Sequence, residues 1–212
     1  MKRVLGIAIL FIILPIFIFA KTGHHKPIAE KNIQTTLYLD SIDAIKVSEK
    51  NGDDLYINIT AYPSQGKNYD YNIPTPPMYW MSKETPRIKK LKLWEGTLKP
   101  GQSIMILLSL IDQDFEPWNT DDLIGDISIR LKNQNGELLS DWHWPNREDA
   151  IPVINTKNGP ARKVLLTNGH SSYNTIFMLH EHLTQDTSDD ITQGAKKYQY
   201  SATRPHSSTV YP

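Results

Sequence analysis

The chain has 212 residues and no cysteine, and its 23 Lys and Arg residues balance 23 Asp and Glu residues, so the formal net charge is zero. A chain of this length fits one domain of about 150 residues with tails. The neutral balance lacks the basic field that non-specific nucleic-acid binding needs, so we expect no nucleic-acid partner. The lack of cysteine excludes disulfides, thiolate metal ligands and cysteine nucleophiles.

Residues 1–20 have the layout of a secretory signal peptide. A positive start, Met1-Lys2-Arg3, precedes an apolar run from Val4 to Ala20, which is the order of regions in such leaders. We expect the protein to be secreted or periplasmic, with a leader that is cut after Ala20 or that remains as an N-terminal membrane anchor. An exported chain without disulfides must be stabilised by core burial, with or without the help of a bound metal.

Through residues 33–183 apolar side chains recur at every second position. In the clearest case, Leu55, Ile57 and Ile59 alternate with polar side chains. This is the period of half-buried β-strands, and Asn-Gly turn sequences separate the runs. The pattern predicts an all-β fold, an antiparallel eight-stranded β-sandwich over residues 33–183.

Four other stretches are expected to lie outside these strands. Residues 21–32 are polar and indicate a flexible lead, and residues 184–212 are polar and indicate a flexible C-terminal tail. Residues 63–87 and 133–160 are long connections rich in proline or tryptophan. Loops of this length inside a domain are often functional.

The acidic residues concentrate in one segment of the chain. No Lys or Arg occurs between Gly101 and Ile129, whereas six Asp and Glu residues do. Asp112 and Asp114 end the most apolar predicted strand, and residues two apart in a strand point to the same side. Their charges repel each other unless a cation or a proton lies between them.

Two more aspartates, Asp121 and Asp122, return from the same loop into the next predicted strand. Several carboxylates converging from one loop are the hard oxygen ligands that Ca²⁺ takes. Mg²⁺ fits less well, because it usually retains several of its waters. The alternative is a solvated acidic loop in which the aspartates form local turns.

These acidic stretches resemble the C2 domain family. The family's third calcium-binding loop is similar to Ile111-Asp112-Gln113-Asp114 followed by Asp121-Asp122-Leu123-Ile124-Gly125-Asp126. Its first loop is similar to Asn51-Gly52-Asp53-Asp54-Leu55-Tyr56-Ile57, and C2-like modules of exported bacterial proteins have a segment similar to Trp94-Glu95-Gly96-Thr97-Leu98-Lys99-Pro100-Gly101-Gln102. The resemblance extends over residues 33–183 and implies a C2-like sandwich.

The resemblance also implies a set of calcium ligands. The candidates are Asp112, Asp114, Asp122, Asp121, Asp54 and Asp53. The earlier aspartate of the family's first loop has no clear counterpart in this sequence. Glu49 stands nearest to that position, and Asp53 is the candidate to substitute for it. In the family, calcium most often bridges the protein to anionic phospholipid. The implied function is therefore calcium-dependent binding of a phospholipid membrane or of a protein partner.

The tip of the third loop reads Phe115-Glu116-Pro117-Trp118. Aromatic side chains at a loop tip can enter a membrane interface, where tryptophan is favoured. The alternative is that these rings fold back and cap the sandwich.

Two other functions remain open from the sequence. His180 and His182 lie two apart in a predicted strand and, with His143 as a third ligand, could hold the Zn²⁺ or Cu²⁺ of an enzyme. Calcium could also serve only to stabilise an envelope protein. The run Gly169-His170-Ser171-Ser172-Tyr173 looks briefly like a nucleophile elbow, but Tyr173 replaces the second glycine. We therefore expect a binding or structural protein rather than an enzyme.

Overall fold

The computed structural model describes residues 31–114, 120–145, 147 and 149–184. Residues 1–20, nearly all of the lead and tail, and the loop tip at Phe115 and Trp118 lie outside the described residues, so the expectations for them stay predictions. Within the described ranges, no helix has the length and apolar character needed to cross a bilayer.

The regular secondary structure of the described residues is almost entirely β-strand, which confirms the predicted all-β fold class. The strands are β1 (Asn32–Lys46), β2 (Asp54–Pro63), β3 (Tyr69–Ile73), β4 (Trp80–Met81), β5 (Leu91–Leu98), β6 (Ser103–Asp112), β7 (Asp122–Gln134), β8 (Glu137–His143), β9 (Val153–Thr156), β10 (Gly159–Thr167) and β11 (Ser172–Thr184). One sheet has the order β5-β1-β11-β10-β9, and the other has the order β3-β2-β6-β7-β8, with β4 also paired to β2. All of these strand pairs are antiparallel.

The predicted count of eight strands was wrong, because the described residues contain eleven. Four of the eleven strands lie in residues 63–87 and 133–160, which the sequence predicts as connections. They are β3, β4, β8 and β9, which lie at sheet edges or pair with one neighbour only. An edge strand needs no long apolar alternation, since one side of its backbone has no partner strand. A 3₁₀ helix, Ser82–Arg87, follows β4.

The core lies between the two sheets and follows the predicted alternation. From one sheet, Leu55, Ile57 and Ile59 of β2 point inward, and each is at most 3% exposed. From the other sheet, Tyr173 and Phe177 of β11 meet them and are also almost fully buried. Inward and outward positions alternate along each strand because successive side chains point to opposite faces.

The strand register brings several chain segments to one end of the sandwich. Lys46 at the end of β1 pairs with Ser172 at the start of β11, which also pairs with Thr167 at the end of β10. In the other sheet, Leu55 at the start of β2 pairs with Asp112 at the end of β6. We call this the acidic end, defined by Glu49, Asp53, Asp54, Asp112, Asp114, Asp121 and Asp122.

Candidate metal centre

Asp112 is the most buried of the predicted ligands from the third loop. It ends β6, where it lies opposite Asp122 of β7, and it is 5% exposed. Its Oδ1 accepts a hydrogen bond of 2.8 Å from the backbone N–H of Asp54, and its Oδ2 accepts a weaker one of 3.4 Å from the Ser48 hydroxyl. The end of β6 and the loop before β2 are therefore joined at this carboxylate.

The surroundings of Asp112 raise its pKa to about 7. Burial is the largest cause, since it penalises the charged form. The Asp54 N–H opposes this shift, and the negative charges of Asp53 and Glu49 add to it, followed by that of Asp114. The carboxylates of two loops are thus close enough to repel one another.

Glu49 and Asp54 experience the same repulsion. Burial is the largest cause of the raised pKa of Glu49, and the charge of Asp114, which belongs to the other loop, is the next largest. The pKa of Asp54 is raised by burial and then by Asp53, whereas the cation Lys83 lowers it. A divalent cation among these groups would convert the repulsion into attraction.

Asp121 fastens the third loop to β2. Its Oδ2 accepts a hydrogen bond of 2.8 Å from the Tyr56 hydroxyl, and its Oδ1 accepts one of 3.3 Å from the Asp114 backbone N–H. Burial and the bond to Asp121 raise the pKa of Tyr56 to about 12. Asp121 is exposed, so it retains lone pairs toward solvent while holding the loop.

Asp53 differs from the other candidates because its oxygens are already satisfied. It is fully buried. Its Oδ1 accepts from the Ser48 N–H at 2.9 Å, the Ser48 hydroxyl at 3.0 Å and the Glu49 N–H at 3.3 Å. Its Oδ2 accepts from the hydroxyls of Ser171 at 2.5 Å and Tyr173 at 2.7 Å.

The hydrogen bonds to Asp53 hold its pKa low. Burial alone would raise the pKa of this carboxyl, but the bonds from the Ser171 and Tyr173 hydroxyls, and then those from Ser48, outweigh it. Burial, followed by the hydrogen bond to Asp53 and the charge of Asp53, raises the pKa of Tyr173. Asp53 is an ionised, buried anchor of the loops.

The donor set fits calcium by its chemistry. Asp112, Asp114, Asp122 and Asp54 offer anionic oxygens, the ligand type that calcium prefers. Among the described residues, no group of three or more His, Asp or Glu side chains is already gathered as a metal-binding group. Calcium binding would therefore require these carboxylates to draw in around the ion. Asp53 would have to give up its donors to take part.

The histidines of the alternative metal site are not brought together. His180 and His182 lie on β11 of one sheet, whereas His143 lies on β8 of the other. The His180 ring packs against Tyr38, with ring centroids 5.1 Å apart. Within the described residues, the three imidazoles do not form a metal-binding group.

Large apolar side chains are exposed around the acidic end. Ile45 is 59% exposed and Val47 is 37% exposed where β1 ends. Leu123 is 50% exposed beside Asp122. We call Ile45, Val47 and Leu123 the apolar rim.

Sequence reasoning missed the hydroxyl groups that hold these loops. Ser171 and Tyr173 lie 118 and 120 residues from Asp53 along the chain. The one local signal is the polar run after Gly169, which looks briefly like a nucleophile elbow in sequence. The structure places that run in the β10–β11 hairpin, with the Ser171 hydroxyl donating to a carboxylate.

The fold and this end together define a β-sandwich module with an acidic end. No protein-family model matches the sequence, and a search of curated proteins also finds no match.

Three solved structures of human GIVD cytosolic phospholipase A2 are similar to the chain. The complex with methyl gamma-linolenyl fluorophosphonate has a TM-score of 0.38 and 11% identity, over 71% of this chain and 17% of the other. The complex that also contains terbium chloride has a TM-score of 0.37 and 12% identity, over 73% and 18%. The structure described without a ligand has a TM-score of 0.36 and 11% identity, over 73% and 17%. The matches thus span less than a fifth of those chains.

Proposed function

We propose that this protein is an exported calcium-binding module that attaches to anionic phospholipid surfaces through its acidic end. It acts as a binding module rather than as an enzyme. The observation that carries the proposal is Asp112, which is buried at a strand end and subject to the negative charges of Asp53, Glu49 and Asp114. A carboxylate in that position is relieved by a proton or by a cation, and calcium is the cation that this all-oxygen set favours.

The residues of the acidic end have separate roles in this proposal. Asp112, Asp114 and Asp122 ligate calcium from the third loop, and Asp54 contributes from the start of β2. Asp121 holds the loop to Tyr56. When bound, calcium neutralises these carboxylates and offers its remaining coordination positions to anionic oxygens of a partner.

The apolar rim favours a lipid surface over a protein partner. Ile45 and Leu123 are each at least half exposed, and they lie on different sheets beside the carboxylates. Exposed apolar groups next to a charge-neutralising ion suit the boundary between phosphate headgroups and acyl chains. The sequence places Phe115 and Trp118 in the same loop, which agrees with this assignment.

Vesicle sedimentation tests the proposal. The chain lacking residues 1–20 is mixed with vesicles of phosphatidylcholine and phosphatidylserine, with millimolar calcium or with a chelator. We expect calcium-dependent sedimentation, which disappears in the double variant Asp112→Asn/Asp114→Asn. The double variant Asp70→Asn/Asp141→Asn is the matched control, because both aspartates are exposed strand residues remote from the acidic end. Calcium uptake without sedimentation would instead indicate a protein partner or a structural ion.

Export is tested separately. We expect the protein recovered outside the cytoplasm to begin at Lys21, as read by N-terminal sequencing. A protein that starts at Met1 and fractionates with membranes would show that the leader remains as an anchor. A protein found only in the cytoplasm would contradict export.

A further inference from the structure

We propose that Asp53 is a positioning residue that couples the β10–β11 hairpin to calcium binding, and that it is not itself a calcium ligand. This inference rests on the proposed calcium-binding function. It assigns to Ser171 and Tyr173, which are remote in sequence from the acidic loops, an influence on the calcium site.

The carboxylate of Asp53 has little capacity left for a metal. Five hydrogen bonds reach its two oxygens, and three of them are between 2.5 and 2.9 Å long. The side chain is fully buried. Coordination of an ion would leave buried hydroxyl and amide donors without an acceptor, which costs more free energy than an average hydrogen bond contributes.

The donors to Asp53 come from separate parts of the fold. Ser48 and Glu49 belong to the β1–β2 loop, whereas Ser171 and Tyr173 belong to the β10–β11 hairpin. The Ser48 N–H also donates to the Ser171 hydroxyl at 3.0 Å. The loop and the hairpin are thus joined through one carboxylate.

The 3₁₀ helix is held at the same point. The Ser82 N–H donates to the Asp53 carbonyl oxygen at 2.8 Å. Gly52, which precedes Asp53, has a φ of 94°, and a Cβ at this position would clash with the Ser82 hydroxyl. Only glycine allows the loop to pass this closely.

The connection continues from Asp53 to the calcium ligands. The single proton of the Ser48 hydroxyl lies between two carboxylates, since its oxygen is 3.0 Å from Asp53 Oδ1 and 3.4 Å from Asp112 Oδ2. Asp53 fixes the backbone N–H of Glu49, whose carboxylate interacts with Asp114 of the third loop. Groups fixed before binding lose less conformational entropy when the ion arrives, so a rigid loop binds more tightly than a loose one.

Removing a hairpin hydroxyl should therefore weaken calcium binding without changing any charge. In Ser171→Ala and Tyr173→Phe, Asp53 keeps its carboxylate but loses one donor, and Ser171→Ala also removes an acceptor of the Ser48 N–H, which keeps its bond to Asp53. We expect calcium to bind about three- to tenfold more weakly in each variant, the range that the loss of one hydrogen bond produces. The number of calcium ions bound per chain should not change.

Thr175→Val is the matched control. The Thr175 hydroxyl is buried in the same strand and donates to the Val164 carbonyl at 3.0 Å, within the hairpin. Its loss removes a buried hydrogen bond of the hairpin without touching Asp53. Calcium affinity should remain as in the wild-type chain, which separates positioning from general destabilisation.

Asp53→Asn distinguishes a positioning residue from a ligand. The amide keeps an oxygen for the Ser48 and Glu49 N–H groups, and its NH₂ can donate to the Ser171 and Tyr173 hydroxyls, which also accept. We expect this variant to retain the wild-type stoichiometry. The loss of one bound ion per chain would show that Asp53 is a ligand and would overturn the inference.

Titration calorimetry with calcium chloride measures affinity and stoichiometry, and amide hydrogen exchange provides a second readout. Without calcium, the N–H groups of Ser48 and Glu49 should exchange faster in Tyr173→Phe than in Thr175→Val. Equal calcium affinity in the wild type, Ser171→Ala and Tyr173→Phe would overturn the inference alone. A wild-type chain that binds no calcium would overturn the proposed function and the inference together.

Discussion

Asp112 lies directly opposite Asp122 in the β6–β7 ladder, so two aspartates form a cross-strand pair at the end of one sheet. Like charges directly opposite one another destabilise a pair of strands. Burial, followed by the negative charges of Asp53, Glu49 and Asp114, raises the pKa of Asp112 to about 7, so in the absence of metal this carboxyl takes up a proton near neutral pH. Calcium is the alternative counter-charge, and the predictions below separate the two.

Calcium should stabilise the fold. At a calcium concentration one hundred times the Kd, binding adds about 2.7 kcal/mol to the free energy of unfolding. We expect a higher Tm with calcium for the wild type and for Asp70→Asn/Asp141→Asn, measured by circular dichroism. The Tm of Asp112→Asn/Asp114→Asn should not respond. A response of equal size in both double variants would exclude these ligands.

In calcium-free buffer, stability should fall as the pH rises through about 7. The folded-state pKa of Asp112 is raised to about 7, whereas an unfolded aspartate titrates near about 3.9. The stabilisation from the bound proton is complete below the unfolded value and is lost as the pH rises through the folded one.

Denaturant unfolding between pH 5 and 8 measures this effect, with a chelator present. Asp112→Asn keeps an acceptor for the Asp54 N–H but carries no titrating group, so its stability should decline less. The difference between the two proteins removes the contributions of the groups that they share. Parallel curves for the two proteins would refute the assignment to Asp112.

The apolar rim should matter for vesicles and not for calcium. In Ile45→Gln/Leu123→Gln, both changes lie on exposed side chains, so folding should be little affected. We expect vesicle sedimentation to fall several-fold while calcium affinity stays constant. The control is Leu139→Gln/Val153→Gln, which alters exposed apolar groups on β8 and β9. An equal loss in both double variants would indicate that the rim has no special role.

Gly96 should tolerate no side chain. A Cβ at this position in β5 would clash with the Trp94 ring, which is buried and donates through Nε1 to the Tyr69 hydroxyl at 2.8 Å. Overpacking of this kind costs about 1–3 kcal/mol. Thermal melting of Gly96→Ala should show a lower Tm, with calcium affinity unchanged because the site lies elsewhere. An unchanged Tm would mean that the ring moves freely.

The sandwich could be predicted because its signals are local. Leu55, Ile57 and Ile59 alternate within one strand, and the Asn168-Gly169 turn lies between β10 and β11. The edge strands could not be predicted in the same way. The edge strand β3, Tyr69–Ile73, pairs with β2 alone. Because one side of its backbone has no partner strand, its sequence needs no regular apolar alternation.

The acidic end was likewise predictable only where its signals are local in the sequence. The sequence by itself determined that Asp112 and Asp114 end an apolar strand and that no base lies near them along the chain. Only the tertiary structure decided that Asp53 accepts from the hydroxyls of Ser171 and Tyr173, because those donors are more than a hundred residues away along the chain. Spacing along a strand sets which way a side chain points. The neighbours that satisfy a buried charge depend on how the two sheets pack.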